Sequence, residues 1–164
     1  MNPVEKLGYL ENDFRMFHIV DCEKKEFTYH YHDFNKIMIL LSGNIHYTIE
    51  GKEYLLEPYD IVLVNEGEIH RPLILDDSPY ERIIIYVSTK FLNTYSKEEY
   101  NLNYCFDRGK NEHSNVLRIP SIEKSKLYQV CLELEHSFHD EAFAHELYQK
   151  LLFLEFMIQL NRTA

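Results

Sequence analysis

Cysteine, basic charge and long apolar runs are all scarce in this chain, and each scarcity removes a class of protein. The three cysteines, Cys22, Cys105 and Cys131, are odd in number, far apart and never in a Cys-x-x-Cys arrangement. A disulfide scaffold and a zinc ribbon are thereby excluded, and a reducing compartment is expected. Lys and Arg total 17 against 27 Asp and Glu, a formal net charge of -10. This balance repels a phosphate backbone, so the chain is not expected to bind DNA by itself. Even the apolar stretch Leu151 to Leu160 is broken by Glu155 and Gln159, which rules out a membrane span there. Glu5, Glu11, Asp13 and Arg15 leave no secretory apolar region near the start. A cytoplasmic protein with no membrane partner is expected. Gly-rich phosphate loops, a Gly-x-Ser-x-Gly elbow and internal repeats are also missing, so no catalytic residue is assigned.

What is present suffices for one domain with an appendage: 164 residues, 45% apolar and 14% aromatic. From Met16 to Val87, short stretches separated by close turn signals predict about eight strands of an all-β barrel or sandwich. Ile45, Tyr47 and Ile49 alternate with His46 and Thr48, and Glu50-Gly51 reverses the chain into Lys52 to Leu56 as a hairpin. Ile61 to Val64 and Ile83 to Val87 are apolar at both parities, as expected of strands covered on both faces. A mixed connecting segment follows over residues 91–120, with a short helix near Phe91 to Tyr95 and a polar loop from Arg108 to Asn115. Helical spacing then returns. Leu127, Val130, Cys131, Leu134 and Phe138 share one helix face, and a second helix is predicted from about Ala142 to Asn161. That helix carries two apolar stripes: Leu147, Leu151, Leu154 and Ile158 on one side, Phe153, Phe156, Met157 and Leu160 roughly opposite. One stripe packs inside the domain. The other needs a partner, and the first is read as a homodimer seam.

Three histidines carry the chemistry. His30 and His32, two apart on an extended segment, face the same way. His70 comes from a later strand after the turn Asn65-Glu66-Gly67-Glu68. Imidazoles brought together inside a barrel are either metal ligands or the polar lining of a ligand pocket. Lys36 and Met38 continue the parity of His32, so the pocket is expected to include the lysine amine above an apolar floor of Met38 and Leu40. Tyr47, Tyr54 and Tyr86 are candidates for stacking on a ligand.

His30-x-His32, Lys36 and Gly43, followed by Gly51, Pro58 and Asn65 to His70, resemble the two motifs of the cupin barrels. HYHDFNKIMILLSGNIHYTIEG, then NEGEIHRP and two closing helices, is similar to the N-terminal sensor and dimerisation domain of AraC-type bacterial transcription regulators. The likeness runs from about Phe14 to Arg162. It implies a mainly β fold, a cupin (jelly-roll) barrel over residues 16–90 followed by two C-terminal α-helices over 121–162. It also implies an N-terminal arm over residues 1–15, a small-molecule effector, and DNA contact only through a helix-turn-helix domain absent from this sequence. One departure matters. The motif's ligating glutamate is Lys36 here, and a protonated ammonium cannot ligate a metal.

Lys36 with neutral histidines suits a sugar, sugar acid or carboxylate effector bound by His30, His32, Lys36, Met38, Tyr47 and His70. His30, His32 and His70 remain able to hold zinc, nickel or iron, although no cofactor is required. The alternatives are a metal-dependent cupin enzyme, such as a dioxygenase or sugar isomerase, and a ligand-free dimerisation module whose barrel is filled by large side chains.

Overall fold

The computed structural model describes residues 4–164 and divides into two compact units, Met1–Arg118 and Ile119–Ala164. Among the described residues the first unit holds ten strands in two five-stranded sheets. These are β1 (Glu5–Lys6), β2 (Phe14–Asp21), β3 (His30–Tyr31), β4 (Asn35–Ser42), β5 (Ile45–Ile49), β6 (Lys52–Leu55), β7 (Ile61–Val64), β8 (His70–Ile74), β9 (Tyr80–Val87) and β10 (Val116–Leu117). One sheet runs β1-β3-β8-β5-β6 and the other β10-β7-β4-β9-β2. Between the sheets lies an apolar cluster that includes Met38, Leu40, Ile45, Tyr47, Val62, Ile74 and Ile84. Each fully buried aliphatic side chain there contributes roughly 1.5–3 kcal/mol relative to exposure.

Local chemistry accounts for the strands that carry the site. Along β5, Ile45, Tyr47 and Ile49 are buried while His46 and Thr48 are half-buried, as the two-residue period demands. Glu50 and Gly51 turn with φ of 47° and 80°, the double positive φ of a type I′ hairpin, and glycine at the second position meets it without strain. In β4, which lies between β7 and β9 in its sheet, Lys36 to Leu40 are buried at both parities, as in a strand covered on both faces.

The connecting segment departs from expectation. Residues 108–111, expected in a polar loop, instead end a helix, α2 (Tyr104–Asn111), which buries Cys105, Phe106 and Gly109. Its apolar face is confined to those few positions, too short a signal against the polar run Lys110 to His113. The shorter helix α1 (Thr89–Thr94) precedes it, with Ser88 accepting a hydrogen bond from the Phe91 N–H as its cap. The segment also supplies β10, which pairs with β7. β3 is only two residues long, His30–Tyr31, and the chain changes sheets between Tyr31 and Asn35.

The second unit contains a 3-10 turn (Ile122–Lys124), α3 (Lys126–Ser137) and α4 (His145–Thr163). Leu127, Val130, Cys131 and Leu134 are buried on α3. On α4 the buried residues are Leu152, Phe153, Phe156, Met157 and Leu160. The other stripe is outward: Leu147 is 57% exposed, Leu151 56% and Ile158 40%, with Leu154 half-buried. No helix among the described residues is long and apolar enough to cross a membrane.

Candidate functional site

Antiparallel pairing of β3 with β8 sets His30 directly opposite His70. His32, just past β3, folds in beside them, and all three are buried. The ring centroids of His30 and His70 lie 4.3 Å apart, and those of His32 and His70 4.8 Å. Each ring is oriented by the same device. His30 Nδ1 meets the Thr28 carbonyl, His32 Nδ1 the Leu7 carbonyl and His70 Nδ1 the Glu68 carbonyl, each at 2.8 Å. A carbonyl only accepts, so every Nδ1 must carry the proton, and the neutral ring is left with a lone pair on Nε2. His32 and His70 bring these nitrogens to 3.1 Å from each other.

Two facing lone pairs at that distance are repulsive unless a proton, a donor or a metal lies between them. Burial holds the rings neutral. It depresses His32 to about 4 and His70 to about 2, with the Lys36 charge lowering both, and it lowers His30 as well. Ligand atoms of the three residues lie within 4.8 Å of one another. Imidazole nitrogens sharing one tetrahedral metal sit about 3.3 Å apart, given bonds near 2 Å. The His32–His70 spacing of 3.1 Å is close to this value, and every Nδ1 is tied to a carbonyl as in a metal-bound imidazole.

Lys36 projects from β4 toward the same end of the interior. It is 7% exposed, and its ammonium donates to the Tyr47 hydroxyl at 2.9 Å. Burial lowers it to about 8, while the Tyr86 phenol opposes and Arg82 adds to the shift. The Tyr47 ring stacks at 6.1 Å on His70, and burial pushes its hydroxyl up and keeps it neutral. Met38 lies in the apolar cluster, on the floor.

The aromatic candidates separate. Tyr86 packs at 4.3 Å on Phe34, which stacks on His32. Tyr54 is held elsewhere, its hydroxyl donating to the His113 carbonyl and accepting from the Asn115 N–H. Leu147, Leu151, Leu154 and Ile158 lie on α4, in the second unit.

Sequence reading overlooked three contributors. The arm enters through β1, which pairs in parallel with β3, and the Leu7 carbonyl then fixes His32. A carbonyl leaves no trace in side-chain patterning. Phe34 is buried against His32 just before β4. Arg82 shares a face of β9 with the core residues Tyr80 and Ile84, is buried, and reaches Asp21 Oδ2 at 2.6 Å. Its even parity with those two residues was the available signal. A separate polar cleft of about 300 Å³ is lined by Asn35, Asn65, Glu66, Thr89, Asn103, Asp107 and Lys110.

An RmlC-like cupin family protein from Methanocaldococcus jannaschii is 16% identical, covering 48% of this chain and 74% of that one with a TM-score of 0.43. A cupin superfamily protein from Desulfitobacterium hafniense is 12% identical, with 49% and 72% covered and a TM-score of 0.42. The DMSP lyase DddQ from Ruegeria pomeroyi is 19% identical over 46% of this chain and 39% of the lyase, at a TM-score of 0.42. No curated protein matches the chain. The model of one family spans residues 16–152, which is most of the sequence, and the chain belongs to that family, the AraC-like ligand binding domain.

Proposed function

We propose that the chain is the effector-sensing and dimerisation part of a bacterial, cytoplasmic, AraC-type transcription regulator. Its effector is a sugar, sugar acid or carboxylate bound at the polar end of the barrel. DNA contact then belongs to a helix-turn-helix domain elsewhere in the regulator, because the net charge of -10 gives this part no electrostatic hold on phosphate. One observation carries the reading. Beside the apolar cluster between the sheets stand three buried imidazoles, a buried ammonium and a tyrosine hydroxyl, the few convergent polar groups in an apolar setting that typify ligand sites.

The exposed stripe Leu147, Leu151 and Ile158 supports the homodimer, since such a row costs free energy in water and gains it against a copy of itself. Sensing requires that the effector bind two arrangements of the regulator with different affinity. The arm offers a route for this, because the Leu7 carbonyl holds the His32 ring that lines the site.

The test is a fusion of this chain to a monomeric DNA-binding domain whose operator affinity depends on pairing. Tight operator binding is expected, and Leu147→Glu with Leu151→Glu should abolish it by placing carboxylates in the seam. Unchanged operator binding by that variant would remove the seam from α4.

A second reading, a metal-dependent cupin enzyme, is favoured by the convergence of the three imidazoles alone. His30, His32 and His70 would hold the ion, and a zinc, nickel or iron centre there would act as a Lewis acid. Lys36 weighs against it, since its positive charge stands where the cupin motif has a ligating carboxylate. No residue is assigned a catalytic role.

A further inference from the structure

Two cationic side chains point into the barrel from neighbouring strands, and they are treated differently. Arg82 on β9 has its counter-charge, the Asp21 carboxylate at 2.6 Å. Lys36 on β4 has only the neutral Tyr47 hydroxyl at 2.9 Å, and no carboxylate of the described residues pairs with it. An ammonium offers three donors, so two of the three on Lys36 have no assigned acceptor. A buried charge without a counter-ion is costly, and a well-placed anion offsets that cost. Beside Lys36 the polarity reverses. Because each Nδ1 proton is committed to a backbone carbonyl, His30, His32 and His70 present acceptors only at Nε2.

A complementary molecule must therefore carry an oxyanion for Lys36 and, next to it, O–H donors for the imidazoles. A neutral sugar supplies the donors and leaves the ammonium unpaired. A simple carboxylate supplies the anion and sets it against unmatched lone pairs. Resting on the effector-binding reading above, we propose that this site recognises hydroxy acids, with the carboxylate on Lys36 and the adjacent hydroxyls donating to Nε2 of the histidine cluster. Lys36 is the residue that selects the acid over the neutral sugar, and the histidines select the hydroxy acid over the plain acid.

Glycolate is the smallest probe that carries both groups and has no stereochemistry. Its affinity is compared with acetate, which lacks the hydroxyl, and ethylene glycol, which lacks the carboxylate, by titration calorimetry with EDTA present. Glycolate is expected to bind the tightest of the three. Lys36→Gln should weaken glycolate by roughly 10- to 100-fold, the worth of a charge-assisted hydrogen bond, and bring it level with ethylene glycol. Lys36→Arg keeps the positive charge and should restore the preference for glycolate over ethylene glycol, which separates loss of charge from loss of fold. Glycolate binding no tighter than ethylene glycol, equal binding by Lys36→Gln, or affinity that appears only when a metal is added would each overturn the proposal. Glycolate selectivity without any effect of glycolate on operator binding by the fusion would keep the hydroxy-acid site and reject the sensor.

Discussion

Acid should unfold this domain earlier than its carboxylates alone would cause, and His32 shows by how much. The ordinary histidine value of 6.5 applies to the unfolded chain, whereas burial holds His32 at about 4 in the folded one. Between those values the unfolded state binds the proton and the folded state does not. Stability from this ring is therefore fully present above 6.5 and is lost as pH falls toward 4. At about pH 5 the loss amounts to roughly 2 kcal/mol from His32, and over the whole window it reaches about 3 kcal/mol. His70, depressed further to about 2, should contribute a loss of the same size by about pH 5 and continue below it. The assay is urea unfolding at about pH 7.5 and about pH 5 with EDTA present, comparing the wild type with His32→Asn. The wild type should lose roughly 2–4 kcal/mol between the two conditions, and the variant should recover about 2 kcal/mol of that difference. Equal stability at both pH values, or the same pH dependence in the variant, would refute the burial argument.

Two further outcomes follow from the site. Adding zinc or nickel should raise the unfolding free energy by about 2.7 kcal/mol at a hundredfold excess over the dissociation constant. His70→Ala should remove that gain, and a gain that survives would place the metal elsewhere. Gly8 has a φ of +71°, and an added Cβ would lie 3.3 Å from Phe34 Cζ. Gly8→Ala should therefore cost about 1–2 kcal/mol of arm docking. Hydrogen exchange reads it directly at the Leu7 N–H, which donates to the Tyr31 carbonyl at 3.0 Å; unchanged protection there would detach the arm from the site.

The parts of this fold that were legible in the sequence are those where one face of an element is apolar and the other is not. The alternation in β5 is of this kind, and its reversal at Glu50-Gly51 was marked by the glycine. Elements buried at both parities or held by the main chain were less legible. β4 is buried at both parities, so its burial pattern alone does not separate the inward Lys36 and Met38 from Ile37 and Ile39; their parity with His32 did. A straight strand from His30 to Lys36 would have put all three polar residues on one surface by simple counting. Instead the chain crosses between sheets at residues 32–34, and tertiary pairing of β3 with β8 brings His70 to His30. The orientation of the rings was beyond reach, because Thr28, Leu7 and Glu68 act through their carbonyls. Arg82 was obscured by a different effect: a charged residue in a strand is usually read as outward-facing, and its partner Asp21 lies on another strand.

The central claim is that the end of the barrel formed by His30, His32, His70 and Lys36 binds a small molecule. Thermal unfolding of the wild type against a library of sugars, sugar acids and carboxylates, repeated with His32→Ala combined with His70→Ala, tests it most directly. The account predicts that library members raise the unfolding temperature of the wild type and leave the folded double variant unchanged. A library that stabilises neither protein, or stabilises both alike, would contradict it.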